Sequence, residues 1–201
     1  MSANYSLERD LHEIVQMGAS LRVYLLGDQL YLAVGGGLPQ LTLGAFLLRR
    51  RRLKHFRDEM NAARQAMLDK ALGKHEALRR AWPLHYETKL KREASSRLRA
   101  LHGFFRECEE SGGDCAAAYP VEAARRTLVQ EILMSMDDFG WDKHELMAAV
   151  RQSDFALRSW LTASAFIWSP KLASVYPRDV FWWLYGRPDA MTLYNSDENS
   201  V

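Results

Sequence analysis

The chain has 201 residues, 48% of them apolar and 26% charged, and a net charge of +2. That balance belongs to a globular protein with its own core and excludes disorder of the whole chain. No stretch approaches the roughly 18 uncharged apolar residues of a membrane span. The most apolar window, 21–48, is broken by Arg22, Asp28, Gln29, five glycines and Pro39. The first residues lack a positive segment followed by an apolar one, so no signal peptide is expected. Two cysteines, Cys108 and Cys115, are too few for a disulfide framework, and the expectation is a reducing cytoplasm.

In chain order, residues 6–20 read as a helix capped by Ser6, with Leu7, Leu11, Ile14, Val15 and Gly18 on one side. Two apolar runs in 22–34 flank Gly27-Asp28, a dipeptide suited to a two-residue turn, and predict an N-terminal β-hairpin. Gly35-Gly36-Gly37 follows. A glycine loop before a helix is the layout of a phosphate cradle, but no phosphate-binding motif is spelled out and a simple corner is the plainer reading.

Thr42 to Arg80 reads as one long basic helix. Leu53, Phe56, Met60, Ala63, Met67, Ala71 and Leu78 recur in steps of three and four. Trp82-Pro83 ends it, since proline disfavours helical geometry in the preceding residue and suits the first turn of the next helix. A second helix then runs to about Glu110, its seam formed by Leu90, Ala94, Leu98, Leu101, Phe105 and Cys108. The short corner predicts an antiparallel hairpin over 42–110, with Met60 near Gly103 and Phe56 near Glu107. After a break at 111–114, Pro120 opens another helix, with Val121, Ala124, Leu128, Ile132 and Met136 inward and Gly140 as its stop. Asp142 caps a helix reaching at least Val150, with a restart near Ser153. Asp179 to Tyr185 predicts a short final helix, and 189–201 a disordered tail.

The fold class expected is thus mainly α. A long antiparallel helical hairpin packs on a bundle of shorter helices, with a small N-terminal β-hairpin. Residues 1–188 form a single helical domain, made of the hairpin (42–110) and a helical C-terminal part (119–188).

Charge is unevenly spread. Residues 42–106 hold 17 Lys and Arg against 6 Asp and Glu, a net of +11, which leaves −9 for the remainder. The run Arg49-Arg50-Arg51-Arg52 lies, in the hairpin register, opposite Glu107, Glu109, Glu110 and Asp114. Internal pairing is therefore its plainer fate, and a solvated face competes with nucleic acid or an anionic surface for the rest. The second basic block, Lys89, Lys91, Arg92, Arg97 and Arg99, would face residues 64–74, which hold Asp69 alone, so if nucleic acid binds, Arg79, Arg80, Lys89, Arg92 and Arg99 are the candidates. Few aromatics interleave with these charges, so a backbone-tracking, sequence-indifferent mode is favoured over base stacking.

Catalytic and metal motifs fail on spacing. Position 148, which H-E-x-x-H would require to be histidine, is Ala148, and Asp138-Phe139-Gly140 has no kinase companions. His102, Cys108 and Cys115 match no common zinc module. His75, Glu76 and His85 are too few for a carboxylate-bridged di-iron centre. No cofactor, metal or catalytic residue is assigned, and the sequence leans away from an enzyme. The leading function is a non-enzymatic interaction or scaffold protein whose partner is another protein or a second copy, through the long helices or the Trp-rich C-terminal part. The alternative is the nucleic-acid reading. A weaker one is a small-molecule pocket lined by Trp160, Trp168, Trp182 and Trp183.

Overall fold

A computed structural model of the chain describes residues 4–111 and 115–188. It contains α1 (Leu7–Leu26), α2 (Leu43–His55), α3 (Ala62–Ala81), α4 (Pro83–Ser111), α5 (Cys115–Asp137) and α6 (His144–Trp160), with strands β1 (Leu161–Ala163) and β2 (Gly186–Pro188). No helix among the described residues is long and apolar enough to cross a membrane. The chain divides into two compact units. An N-terminal unit comprises Ser6–Ala94 and Gln130–Lys143; a C-terminal unit comprises Met1–Tyr5, Ser95–Val129 and His144–Val201. Helices α4 and α5 contribute residues to both.

In the N-terminal unit, α1 starts where Ser6 predicts. The Ser6 hydroxyl accepts from the Arg9 amide at 3.2 Å, which satisfies one of the free donors of a helix start. The helix does not stop at Ser20. Leu11, Ile14, Met17, Leu21, Tyr24 and Leu25 are all buried, a stripe in steps of three and four that carries helix through the predicted first strand. Gly27 ends it, its amide reaching the Val23 carbonyl at 3.0 Å. The expected N-terminal β-hairpin is therefore wrong. Residues 27–42 hold only an isolated bridge between Leu32 and Leu41, and the small antiparallel sheet lies at the C-terminal side, between β1 and β2. Burial of Tyr24 and Leu25 on the helix side outweighed the turn propensity of Gly27-Asp28.

The long helix of the sequence reading is two helices. Helix α2 closes at Phe56, a 3-10 turn spans Arg57–Glu59, and Met60 is extended. Asn61 then caps α3, its side-chain oxygen accepting from the Arg64 amide at 2.9 Å. This break shifts the buried face. Leu53, Phe56, Met60 and Ala71 are buried as expected, but Ala63 and Met67 are exposed, and Leu68 and His75 take core positions instead. Helix α3 packs on α1, which also packs on α2. A Cβ at Gly18 would stand 3.6 Å from the Ala71 Cβ, so the small residues allow α1 and α3 a close approach.

The Trp82-Pro83 corner is where the sequence puts it, with α3 ending at Ala81 and α4 beginning at Pro83. Across it, His75 Nε2 and the Tyr86 hydroxyl are 2.7 Å apart. Farther along, Glu93 accepts from the Gly44 amide of α2 at 2.8 Å.

The C-terminal unit departs from expectation at its start. Helix α5 begins at Cys115, with Pro120 inside it and Val121 exposed; a proline near the start forfeits a single backbone bond. Cys108 and Cys115 are joined by a disulfide, Cα atoms 6.0 Å apart, where the sequence reading took Cys108 as a small apolar residue of the helix seam. Helix α6 is continuous to Trp160 and feeds β1, which pairs Leu161 with Pro188, Thr162 with Arg187 and Ala163 with Gly186. The predicted final helix shrinks to a 3-10 turn over Trp182–Tyr185. At the core, the Trp183 indole donates to Thr127 Oγ1 at 3.0 Å, and its carbonyl accepts from the Tyr119 hydroxyl at 2.6 Å. The expected tail at 189–201 and most of the break at 111–114 lie outside the described residues.

Candidate functional site

The densest charge in the sequence is spent inside the N-terminal unit. Arg49 is buried, donating to Glu13 Oε2 at 2.6 Å and to the Ala45 carbonyl at 2.9 Å. Arg52 lies 3.6 Å from Asp10, Arg50 lies 3.9 Å from Asp138, and Arg51 pairs with Glu131. These described partners belong to α1, to the end of α5 and to the residue that follows it, a different set from the acids that the hairpin register nominates. Arg51 and its neighbours pull the Glu131 carboxyl down, yet burial outweighs them and leaves it above the usual carboxylate range.

The start of α2 is likewise occupied from within. Thr42 Oγ1 accepts from the Ala45 amide at 3.1 Å, and the buried Glu93 carboxylate accepts from the Gly44 amide at 2.8 Å. A carboxylate at a helix start meets its free amides and its dipole. The phosphate-cradle reading is therefore not favoured, and Gly35, Gly36 and Gly37 serve the corner. Their φ values of 79°, 61° and 71° are left-handed and suit glycine.

His75 is a core residue. Its ring stacks on Phe46 with centroids 4.7 Å apart, and burial, helped by Arg50, pushes its pKa down to about 3. Among the described residues no group of three His, Cys, Asp or Glu could hold a metal ion.

This unit carries a cleft of about 330 Å³ where the end of α1 meets the first turns of α4. Leu25, Leu26, Gly27 and Asp28 form one wall, and Leu84, His85, Thr88, Lys89 and Arg92 the other. Leu84 is 74% exposed and Leu26 is 39% exposed, with Val23 exposed one turn back on α1. The charged groups along α4 have two roles. Lys89 is buried; its ammonium donates to the Gln29 carbonyl and lies 4.6 Å from the centre of the Tyr24 ring. Burial, then Arg92, lowers its pKa. Those bonds engage it as a strut for the loop after α1, not as a free nucleophile. Arg92 donates to the Asp28 carbonyl at 3.3 Å and stays exposed, as does His85. The cleft thus offers leucine walls with a basic edge.

The five basic candidates do not form one group. Arg79, Arg80, Lys89 and Arg92 belong to the N-terminal unit and Arg99 to the C-terminal unit. Arg79 and Arg80 both pair with Glu76, and Arg79 also lies 3.6 Å over the Phe139 ring. Arg80 remains exposed, and Arg99 lines a separate cleft.

The four tryptophans all sit in the C-terminal unit, engaged with their own neighbours. Trp160 meets Phe105 edge-on at 5.2 Å, Trp168 meets Tyr176 at 5.2 Å, and Trp182 meets Trp183 at 5.7 Å. Arg126 covers Trp183 and Arg158 covers Trp182. Trp183 is buried in the core, and Trp160, Trp168 and Trp182 are half-buried around it and its neighbours. The sequence reading missed the leucine-walled cleft because it assigned Leu25 to Asp28 to a strand and turn. The available signal was Leu84, a lone large apolar side chain in the first turn of a polar helix. The chain matches no protein-family model, no curated protein and no solved structure.

Proposed function

We propose that this chain is a non-enzymatic interaction protein that docks a partner in the cleft between the end of α1 and the start of α4. The single observation behind the reading is that Leu26 and Leu84 stand exposed on its two walls while Arg92 and His85 edge it. Exposed apolar side chains grouped around a concave, polar-rimmed surface mark interaction sites more than scattered ones do. The basic edge selects the occupant: an amphipathic segment that seats an apolar side chain between the two leucines and turns carboxylates toward Arg92 and His85. In this reading α3 and α4 form a packed helical hairpin that holds the docking face rigid. The His75–Tyr86 contact across the corner supports that hairpin.

The test is a photo-crosslinking residue at position 84 in the native host, followed by binding of the captured segment to purified protein. A segment rich in Asp and Glu that crosslinks at 84, and whose affinity falls at least about tenfold in Leu26→Glu/Leu84→Glu, is the expected result. Capture unaffected by that double substitution, or no capture at all, rejects the reading. Light scattering on the same samples separates a second copy from another protein as the occupant.

A further inference from the structure

The C-terminal unit carries a second cleft, of different character. It measures about 430 Å³ and is lined by Arg99, His102, Gly103 and Arg106 of α4 with Gln152 of α6. No carboxylate and no aromatic ring lines it among the described residues. Glu107, the next residue along α4, is exposed beside it and is not part of the lining. We infer that this cleft binds a ligand bearing more than one phosphate group, held by Arg99, His102 and Gln152 with Arg106 at its end.

The chemistry follows from the lining. Guanidinium groups present rigid donor forks that match phosphate oxygens two at a time. Imidazole and carboxamide add further donors, and the described lining holds no carboxylate. Arg99 and Arg106 are seven residues apart, about 10.5 Å along the helix axis. They flank His102 and Gly103 rather than converge on one point, so they suit a pair or row of phosphates. Gly103 forms the floor, and a Cβ added there would meet nothing within 4 Å. Among the described residues no aromatic wall offers a base a stacking surface, so recognition rests on phosphate. The volume lies within the range of small-ligand sites. The same chemistry could reach the cleft as a small polyphosphorylated molecule or as a nucleic-acid backbone. This site is independent of the leucine-walled cleft, and neither proposal rests on the other.

The experiment titrates tripolyphosphate and a short single-stranded oligonucleotide into the full chain at about 50 mM and about 200 mM salt. Three variants accompany the wild type: Arg99→Glu, Gly103→Leu and, as a control away from the cleft, Arg80→Glu. Gly103→Leu separates binding from folding, because replacing a glycine within a helix favours the fold while the side chain fills the floor. The expected result is binding at the lower salt that weakens at least about tenfold in Arg99→Glu and Gly103→Leu and is unchanged in Arg80→Glu. Tripolyphosphate binding identifies a small phosphorylated ligand as the source, and oligonucleotide binding alone identifies the backbone. Absence of binding by both probes at the lower salt overturns the inference. So does a loss in Arg80→Glu equal to that in Arg99→Glu, or undiminished affinity in Gly103→Leu.

Discussion

The sharpest consequence of the N-terminal unit's interior concerns His75. Its ring is enclosed by Phe46 and Tyr86, and its pKa falls from 6.5 to about 3, through burial first and the Arg50 charge second. An unfolded chain takes up a proton at this histidine below about pH 6.5, whereas the folded chain does not until about pH 3. Between those values the unfolded state binds more protons, so stability is fully present above pH 6.5 and is lost as pH falls. At 1.36 kcal/mol per pH unit, the loss on going from pH 6.5 to pH 5 is about 2 kcal/mol. The assay is urea unfolding at pH 7 and pH 5 for the wild type and for His75→Gln, which keeps a hydrogen-bonding group beside Tyr86 without titrating. Both proteins share every other titrating group, so the wild type should lose about 2 kcal/mol more than the variant over that interval. Equal losses would mean that His75 is charged or solvated in the folded protein, and the enclosed core described here would be wrong.

Gly44→Ala should lower stability by about 1–3 kcal/mol, read by chemical denaturation, because the new Cβ would stand 2.5 Å from the buried Glu93 Oε1 and force that carboxylate off the Gly44 amide. Asn61→Ala should cost about 1 kcal/mol through loss of the α3 cap, and a thermal melt that does not fall would argue against the break between α2 and α3. Replacing Cys108 and Cys115 by serine, or reducing the pair, should cost about 2 kcal/mol, the scale expected for closing a short loop. Thiol counting on the unfolded chain before and after reductant checks that the bond is present.

Where the sequence spoke clearly, it did so through local chemistry. Ser6 as a cap, Trp82-Pro83 as a corner and the helical character of most of the chain all follow from groups within a few residues of one another. Two failures share a cause. The stripe Leu21, Tyr24, Leu25 was present in the sequence, but β-rich composition around Gly27-Asp28 competed with it, and only tertiary burial decides between them. Likewise, spacing carried a single helix through Asn61, because Phe56 and Met60 are buried on either side of the 3-10 turn and disguise the change of phase. Neither cleft was legible, since each joins residues far apart in the chain. Lys89 and Arg92 of the first cleft and Arg99 of the second were named in advance, on charge; His102 was weighed only as a metal ligand, and Arg106 and Gln152 gained their setting only from the fold.

The arginines of α2 carry a lesson for lineage as well as for fold. Asp10, Glu13 and Glu131 answer Arg49, Arg51 and Arg52 across the chain, and all three carboxylates are sheltered from water. Losing one side of such a pair strands a charge indoors, which is far more damaging than losing both. In descendants and cousins of this chain the tetra-arginine segment and those three distant acids should therefore come and go in concert.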